Sequence, residues 1–179
     1  MRLAITGTPC TGKTTLAAEL AAALKIPLIR INDVVSEKKL FTTRRGEKEK
    51  TVKMNGLERE LNKILLKMPA YVVEGHLACE FALPVDKILV LRANPALLEK
   101  RMKKRKYPAK KTAENLLAEC LDYCLAKAEE NYPRGKIVQV NCSKPPSVQG
   151  ILSRLKSGKS DSVNWFVFLA ANEKRLRLS

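Results

Sequence analysis

The segment Gly7-Thr-Pro-Cys-Thr-Gly-Lys-Thr14 constrains the fold of this chain more than any other part of the sequence. A short apolar run at 2–6 precedes it, and an alanine- and leucine-rich run at 14–24 follows it. The first run is typical of a buried strand, and the second, which stops before Pro27, is typical of a helix. The segment therefore joins a strand to a helix with the spacing GxxxxGK[ST], which is typical of a loop that surrounds phosphate groups.

The residue types of this segment predict how a nucleoside triphosphate is held. Glycine allows backbone amides to face the phosphates, and the amino terminus of the following helix adds a favourable partial charge. We expect Lys13 to reach the β- and γ-phosphates of ATP and the hydroxyl of Thr14 to coordinate Mg²⁺. A chance match in a glycine loop is the alternative, and the flanking strand and helix argue against it.

Strands and helices alternate along the rest of the chain. Apolar runs predict further strands at 28–31, 70–74, 87–92 and 137–140. Helical signals predict helices at 56–67, from Pro95 onward, at about 112–131 and at about 147–156. This alternation predicts an α/β fold of three layers, with a five-stranded parallel sheet between helices. Ligands of such sheets bind at the carboxyl ends of the strands, so the segments that follow the strands should meet at one site.

The size and the charge of the chain agree with this interpretation. Its 179 residues suffice for one domain with a sizeable core, and a hydrophobic content of 45% predicts a packed globule instead of a disordered chain. Lys and Arg total 34 against 18 acidic residues, which gives a formal net charge of +16. Such an excess suits polyanions, whether nucleotides, RNA or an acidic protein surface, and the charge alone does not choose among them.

The cysteines and the hydropathy indicate the cellular setting. Five cysteines are scattered without a CxxC pair, so we expect reduced thiols and a cytoplasmic protein, with a nuclear location as a further option in a eukaryote. No run approaches the roughly 18 apolar residues of a membrane span, and we expect none. Cys120 and Cys124 are one helical turn apart, which indicates packing instead of a metal site because the chain has a single histidine.

Two polar residues follow the strand predicted at 70–74. Glu74 is suited to hold Mg²⁺ directly or through a water molecule, and His76 to orient a water molecule or a phosphate group. The alternative interpretation is that Glu74 merely ends the strand and that His76 is a solvated loop residue.

A strongly basic run at 99–111 contains eight cationic side chains. Phosphoryl transfer requires that the charge on the phosphate oxygens be balanced, usually by arginine. Arg101 and Arg105 share one face of the predicted helix, so both can point at one phosphate chain. For the lysines of this run, a solvated face or an RNA-binding surface is an equal alternative.

A second basic stretch, at 38–53, has seven cationic side chains among few apolar residues. We predict a mobile excursion of the chain that closes over an acceptor nucleotide. Disorder or contact with RNA is the alternative for its individual side chains.

Together these features resemble the adenylate kinase isoenzyme 6 family, the Fap-seven-type ATPases of ribosome maturation. The resemblance covers residues 1–155. Besides the first segment, it rests on Val73-Glu-Gly-His76 with Cys79-Glu-Phe81, Val90-Leu-Arg92, Arg105-Lys-Tyr107, Asn115 with Glu119, and Ser143-Lys-Pro145.

The resemblance implies a small nucleoside monophosphate kinase that uses ATP and Mg²⁺ and converts AMP and ATP to two ADP. It also implies ATPase activity and a role in maturation of the small ribosomal subunit and its rRNA, beside a platform ribosomal protein. The domain at 1–155 would then contain an NMP-binding segment at about 32–55 and a short lid at about 104–112. Direct contact with rRNA stays open.

The resemblance also assigns residues to the donor nucleotide. The phosphates would contact residues of the first segment, namely Gly7, Cys10, Gly12, Lys13, Thr14 and Thr15. Arg105 belongs to the lid and binds ATP, and Lys144 lies in the loop expected next to adenine. The residues that we predict to be catalytic are Lys13, His76 and Arg105.

Further residues are assigned to the acceptor nucleotide and to the metal. Asp33 matches the start of the acceptor segment, and we predict that Arg101 contacts the same nucleotide. Glu74 and His76 match an acidic-x-His element that, in this family, is thought to serve magnesium and the hydrolytic water. Thr14 and Glu74 are therefore the predicted metal ligands.

The sequence departs from the family at several points. Glu74 stands where the family often has Asp, which lengthens the reach to the metal by one methylene group, and Lys106 stands where it often has Gly. Residues 44–53 are basic, whereas several relatives are acidic there, which leaves acceptor preference and the partner surface open. The tail at 156–179 lies outside the resemblance, and we expect its apolar run at 163–169 to pack on the domain or on a partner.

Two alternative functions remain. One is a kinase of another small metabolite such as shikimate, and the other is an assembly ATPase with little kinase activity, whose nucleotide state switches a protein or RNA partner. A GTPase is disfavoured because Glu74-Gly-His76 stands in place of DxxG and no NKxD is present. A dinucleotide dehydrogenase is disfavoured because no GxGxxG follows a strand.

Overall fold

The secondary structure alternates as the sequence predicts, in a computed structural model that describes residues 1–43 and 50–176. The strands are β1 (Arg2–Gly7), β2 (Leu28–Arg30), β3 (Phe41–Thr43), β4 (Lys50–Val52), β5 (Tyr71–Glu74), β6 (Lys87–Arg92) and β7 (Ile137–Asn141). The α-helices are α1 (Lys13–Leu24), α2 (Ile31–Glu37), α3 (Met54–Leu65), α4 (Pro95–Lys104), α5 (Ala109–Cys120), α6 (Tyr123–Asn131), α7 (Val148–Ser157) and α8 (Phe166–Leu176). Short 3-10 helices span His76–Glu80 and Arg134–Lys136.

The central sheet is parallel and has five strands in the order β2-β5-β1-β6-β7. β1 lies in the middle and pairs with β5 on one side and with β6 on the other. Its residues Leu3, Ala4 and Ile5 are fully buried, because helices cover both faces of a parallel sheet. The predicted α/β fold with a five-stranded parallel sheet is confirmed.

Two apolar layers hold the helices on the sheet. On one face, α1 and α7 contribute Leu16 and Ile151 to a cluster that contains Leu3 and Ile5 of β1. On the other face, Ala4 belongs to a second cluster together with residues of α2, α3 and α6, because successive side chains of a strand point in opposite directions. Burial of each leucine in these layers contributes about 1.5–3 kcal/mol to folding.

Local sequence signals set the ends of several helices. The side chain of Asn94 accepts a hydrogen bond from the amide of Ala96 at 2.9 Å, and Pro95 is the first residue of α4. The predicted start of this helix at Pro95 is therefore confirmed. Ser147 caps α7 in the same way, by accepting a hydrogen bond from the amide of Gly150 at 3.1 Å.

The prediction of one helix at about 112–131 is wrong, because the chain forms α5 and α6 there. Between them Asp122 has a φ of 57°, in the left-handed region that does not continue a helix. The carboxylate of Asp122 pairs with the guanidinium group of Arg92, which also binds Glu119 near the end of α5. The tertiary pairing therefore breaks a pattern that local periodicity alone would continue.

The segment predicted as a mobile excursion contains regular structure in its described part. Within this segment, β3 pairs antiparallel with β4. Before the segment, Ile31, which the sequence assigned to the second strand, begins α2 instead. Arg44, Arg45 and Lys48 lie outside the described residues. Closure of this segment over a nucleotide thus stays a prediction.

The tail beyond α7 contains a helix that packs on the domain. α8 lies against α5, and its Leu176 is buried in a cluster with Leu98 of α4 and Leu116 of α5. Arg175 of α8 also donates to Glu99 of α4 at 2.6 Å. Among the residues described, each helix is too short or too polar to span a bilayer.

Candidate active site

The phosphate-binding loop connects β1 to α1 at the carboxyl end of the sheet. Gly7 and Gly12 have φ values of 141° and 104°, which glycine adopts without strain. A Cβ atom on Gly7 would lie 2.4 Å from the carbonyl oxygen of Leu91, so a side chain has no room at this position. Thr14 and Thr15, the next residues of the motif, are exposed at the start of α1.

Lys13 is the cation of this loop and is 9% exposed. Its ammonium group donates to the carbonyl oxygens of Gly7 at 2.8 Å and of Thr8 at 2.9 Å. Burial lowers the pKa of Lys13, and nearby carboxylates, Glu74 among them, oppose this effect in part. A triphosphate would offer the ammonium group charged acceptors, which bind more strongly than these neutral carbonyl groups.

Thr14 and Glu74 form a candidate magnesium site. β5 places Glu74 beside Ile5 of β1, and the hydroxyl of Thr14 donates to Glu74 Oε1 at 3.3 Å. Mg²⁺ prefers oxygen ligands and is usually held by one or two carboxylates together with phosphates, so this donor set fits the ion. The described part of the chain has no group of three or more His, Cys, Asp or Glu side chains that could hold a metal, so phosphate oxygens would be needed to complete the set.

His76 begins the 3-10 helix that follows β5. Its carbonyl oxygen accepts hydrogen bonds from Thr6 Oγ1 at 3.1 Å and from Cys79 Sγ at 3.2 Å, which ties this turn to β1. Desolvation of the ring and repulsion by Lys13 and Lys111 lower the pKa of His76 below its ordinary value of 6.5. Because the residue is itself exposed, contact with water limits the size of this shift. The imidazole is thus neutral near pH 7 and able to accept a hydrogen bond.

A cavity of about 590 Å³ lies beside the phosphate-binding loop. Its walls come from the loop, from α1, from α4 and from the ends of β6 and β7, and they include Cys10, Gly12, Thr15, Leu16, Glu19, Leu91, Arg101, Lys104, Arg105, Cys142, Pro145 and Pro146. One part of this wall is apolar and the other is cationic. This combination suits a nucleotide, which has a flat apolar base and a negatively charged phosphate chain.

The two arginines of the basic run both lie at this cavity. Arg101 donates to the carbonyl oxygen of Cys10 at 2.9 Å, and Arg105 directly follows the last residue of α4. Arg101 was assigned to the acceptor nucleotide by sequence, yet it shares the cavity with Thr15, at the donor side of the loop. Its assignment to the acceptor stays a prediction that this position does not favour.

Two other predicted site residues lie outside this wall. Lys144 lines a separate, shallower space with Asn141 and Asp161, although Pro145, the next residue, faces the large cavity. Asp33 is in the first turn of α2, after the edge strand β2, and its carboxylate is 3.9 Å from Arg30. The structure thus brings together the predicted phosphate and metal ligands but not the predicted acceptor residues.

A buried ion pair next to the loop joins two residues on which the resemblance rests but which are not among the predicted site residues. Arg92 and Glu119 are each 1% exposed, and Arg92 Nε donates to Glu119 Oε1 at 2.9 Å. Glu119 Oε2 accepts a hydrogen bond from Thr8 of the phosphate-binding loop at 2.6 Å. The sequence contains a signal for this pair: Arg92 ends a buried strand, and Glu119 is at an apolar position on the inner face of a helix. An unpaired charge is costly at either place, so the two charges are expected to have partners.

Comparison with known proteins finds a family and several relatives. The family model AAA_18, described as "AAA domain", matches residues 3–122. A protein from Methanocaldococcus jannaschii named "Putative adenylate kinase" is 36% identical over 142 residues, which are 79% of this chain and 76% of that protein. The protein of the same name from Methanococcus maripaludis is 34% identical over 180 residues and covers 92% of this chain and 95% of its own length.

Solved structures with a similar fold include shikimate kinases. The enzyme from Bacteroides thetaiotaomicron has a TM-score of 0.58 and 22% identity, over 88% of this chain and 95% of its own. The enzyme from Acinetobacter baumannii, solved in complex with shikimate, has a TM-score of 0.61 and 18% identity, over 89% and 95% of the two chains. At these identities the likeness shows a shared fold alone.

Proposed function

The chain belongs to the AAA domain family that matches residues 3–122 and to the adenylate-kinase-like family of nucleoside monophosphate kinases of its archaeal relatives, and from this premise we propose that it transfers the γ-phosphoryl group of ATP to AMP and forms two ADP. The observation that supports this most is the hydrogen bond between Thr14, the neighbour of Lys13, and Glu74. The phosphate-binding loop that contains Lys13 also lines a cavity with Arg101 and Arg105 in its wall.

We assign the donor ATP to this cavity. Its phosphate chain would follow the backbone amides from Gly7 to Thr15, where Lys13, Arg101 and Arg105 balance its charge. The apolar part of the wall, with Leu91 and Pro146, would contact the base. Arg101 is therefore reassigned from the acceptor to the donor.

Thr14 and Glu74 are the residues that would hold Mg²⁺ beside the phosphates. When bound, the ion supplies positive charge at the phosphoryl group and helps to align it. The chain's own contribution is to fix the two oxygen ligands, through the start of α1 and the end of β5. Glu74 is 7% exposed, so its carboxylate is held in place by its surroundings.

We assign the acceptor AMP to the side of the loop that α2 and the β3–β4 hairpin form, with Asp33 at its start. Both segments follow β2, so an acceptor bound there would face the donor across the carboxyl end of the sheet. Alignment of the two phosphate groups would supply most of the rate acceleration, because phosphoryl transfer depends on position and charge.

ATP hydrolysis is a second activity that the position of His76 favours. Its imidazole is neutral near pH 7 and can orient a water molecule. Water and AMP would then compete for the same phosphoryl group, so hydrolysis should slow when AMP is bound.

The experiment that tests the proposal measures ATP hydrolysis and phosphoryl transfer side by side, with AMP, CMP and shikimate as acceptors. We expect two ADP for each AMP consumed and weaker use of CMP. ATP consumption that is the same with and without every acceptor would make the chain an ATPase alone, and phosphorylation of shikimate would make it a metabolite kinase.

We further propose that the nucleotide cycle serves maturation of the small ribosomal subunit. The resemblance to the ribosome-maturation ATPases suggests this, and the exposed cations of α4 and α5, such as Lys103, Lys104 and Lys110, suit rRNA or an acidic protein. Pull-down of small-subunit ribosomal proteins and rRNA should depend on whether ATP or ADP is present. Recovery of neither in any nucleotide state would contradict it.

A further inference from the structure

The carboxylate of Glu119 is the centre of a buried network between the phosphate-binding loop and the tail. Its Oε2 atom accepts a hydrogen bond from Thr8 Oγ1 at 2.6 Å. Its Oε1 atom accepts from Arg92 Nε at 2.9 Å, from the amide of Ala93 at 3.1 Å and from Trp165 Nε1 at 3.1 Å. The two oxygens therefore connect different parts of the chain, with the loop on one oxygen and the strand end and the tail on the other.

The loop end of this network bears directly on Lys13. The carbonyl oxygen of Thr8 accepts hydrogen bonds from Lys13 Nζ and from Thr11 Oγ1, each at 2.9 Å. Thr8 is 3% exposed and has its hydroxyl fixed by Glu119. A displacement of Thr8 would therefore move a carbonyl group that holds the ammonium group, and small errors in such positions have large effects on phosphoryl transfer.

The chain is anchored to the domain both before and after Trp165, the tail residue of this network. Before it, Asp161 accepts a hydrogen bond from the amide of Asn141 at 2.9 Å and pairs with Arg154 at 2.7 Å. After it, α8 packs on α5, the helix that contains Glu119. Trp165 is half-buried, and these anchors give its indole N–H a defined direction.

We propose that Trp165 is a positioning residue of the phosphate-binding loop, acting through Glu119 on Thr8. A carboxylate oxygen has about two lone-pair sites, and Glu119 Oε1 accepts three hydrogen bonds, so Arg92, Ala93 and Trp165 share them. Loss of the indole donor therefore lets the carboxylate turn toward Arg92 and Ala93. The bond to Thr8 then changes direction. The tail thereby tunes ATP binding without contacting the nucleotide, an inference that rests on the proposed donor site.

The test compares Trp165→Phe, which keeps an aromatic ring and loses the N–H, with Val167→Ala, an exposed position in the same tail. Titration calorimetry with a non-hydrolysable Mg·ATP analogue should give Trp165→Phe an affinity roughly threefold to tenfold below wild type, a range that corresponds to the net contribution of one ordinary hydrogen bond. Val167→Ala should match wild type. The KM for AMP should stay within about twofold, because the acceptor site is not touched.

A double-mutant cycle tests the route of the effect. Thr8→Val removes the hydroxyl that Glu119 holds, so Trp165→Phe should add little in that background. Losses of affinity that multiply in the double variant would show that Trp165 acts independently of Thr8, which overturns the inference.

A fluorescence measurement keeps the inference testable if Trp165→Phe folds poorly. Trp165 is the one tryptophan of the chain, so its emission reports on this network alone. The emission should change when the wild-type protein binds the analogue, and Thr8→Val should shift it without nucleotide. An emission that neither analogue binding nor Thr8→Val changes overturns the inference, and so does normal affinity of a folded Trp165→Phe. Absence of any analogue binding by wild type overturns the proposed donor site and the inference with it.

Discussion

At the scale of single residues, the site depends on the position in which the loop holds the ammonium group of Lys13. Lys13 Nζ has two neutral acceptors within its own loop, at 2.8 and 2.9 Å. Exchange of one of them for a phosphate oxygen gains a charge-assisted hydrogen bond without moving the backbone. The ammonium group is therefore in position before the nucleotide arrives.

Lys13→Ala should lower phosphoryl transfer by on the order of a hundredfold to a thousandfold, since it removes the cation at the transferred group. The control is Lys63→Ala, which removes an exposed lysine of α3. Turnover of ADP formation checks both variants, with far-ultraviolet circular dichroism to compare their folding. Wild-type turnover in Lys13→Ala would remove Lys13 from the site.

The pH dependence of hydrolysis should report the lowered pKa of His76. Because its folded-state pKa lies below 6.5, the neutral form persists as the pH falls through 6.5, and the rate should decline only at lower pH. Lys111→Met removes one repelling cation and should move this decline upward, whereas Lys110→Met should move it less. The part of the pH–rate profile that is lost in His76→Gln is the part that belongs to His76. A wild-type hydrolysis rate whose decline is centred at pH 6.5 or above would contradict the assignment.

The same shift affects stability in a defined direction. Below pH 6.5 the unfolded chain binds a proton at His76 that the folded chain does not yet bind. The contribution of His76 to the free energy of unfolding is thus present above pH 6.5 and is lost as the pH falls from 6.5 through the lower pKa of the folded state.

At the scale of elements, the buried network joins the end of β6 to the α5–α6 junction. Arg92 binds both Glu119 and Asp122, and Gln139 of β7 accepts a further hydrogen bond from it at 3.1 Å. Removal of one member leaves a charge buried without its partner, which costs more than the pair itself contributes.

Arg92→Met should lower the free energy of unfolding by about 3–5 kcal/mol, the usual cost of breaking a buried pair. The matched control is Arg2→Met, which breaks a half-exposed pair with Asp86 and should cost much less, because water screens an exposed pair. Urea unfolding followed by circular dichroism measures both. Equal losses of unfolding free energy in the two variants would show that burial does not determine how much the Arg92 pair contributes to stability.

The elements that the sequence predicted well are those fixed by local chemistry. The strand–loop–helix at 2–24 follows from apolar runs and glycine spacing, and α4 from the Asn94 cap with Pro95. α3 follows from leucines that repeat along one buried face. The break at Asp122 and the β3–β4 hairpin depend on distant partners or on pairing between strands, which a local pattern does not contain.

At the scale of the whole molecule, the site is assembled from segments that are far apart in the chain. Motif spacing locates Lys13 and Thr14, and the sheet order brings Glu74 beside them. Glu119 is 111 positions from Thr8, and Trp165 is 46 from Glu119, so only the fold reveals that the three are in contact. The tail, which the resemblance does not cover, thus joins the network around the loop.

The central claim is that one phosphate chain lies along the loop from Gly7 to Thr15 and connects two nucleotide sites. A crystal structure with Mg²⁺ and a bisubstrate analogue, two adenosines joined by a chain of phosphates, tests it most directly. We predict phosphates within hydrogen-bond distance of Lys13, one adenine in the cavity beside Pro146, and the other toward α2. Phosphates bound elsewhere, with Lys13 still bonded to the carbonyl groups of Gly7 and Thr8, would contradict the account.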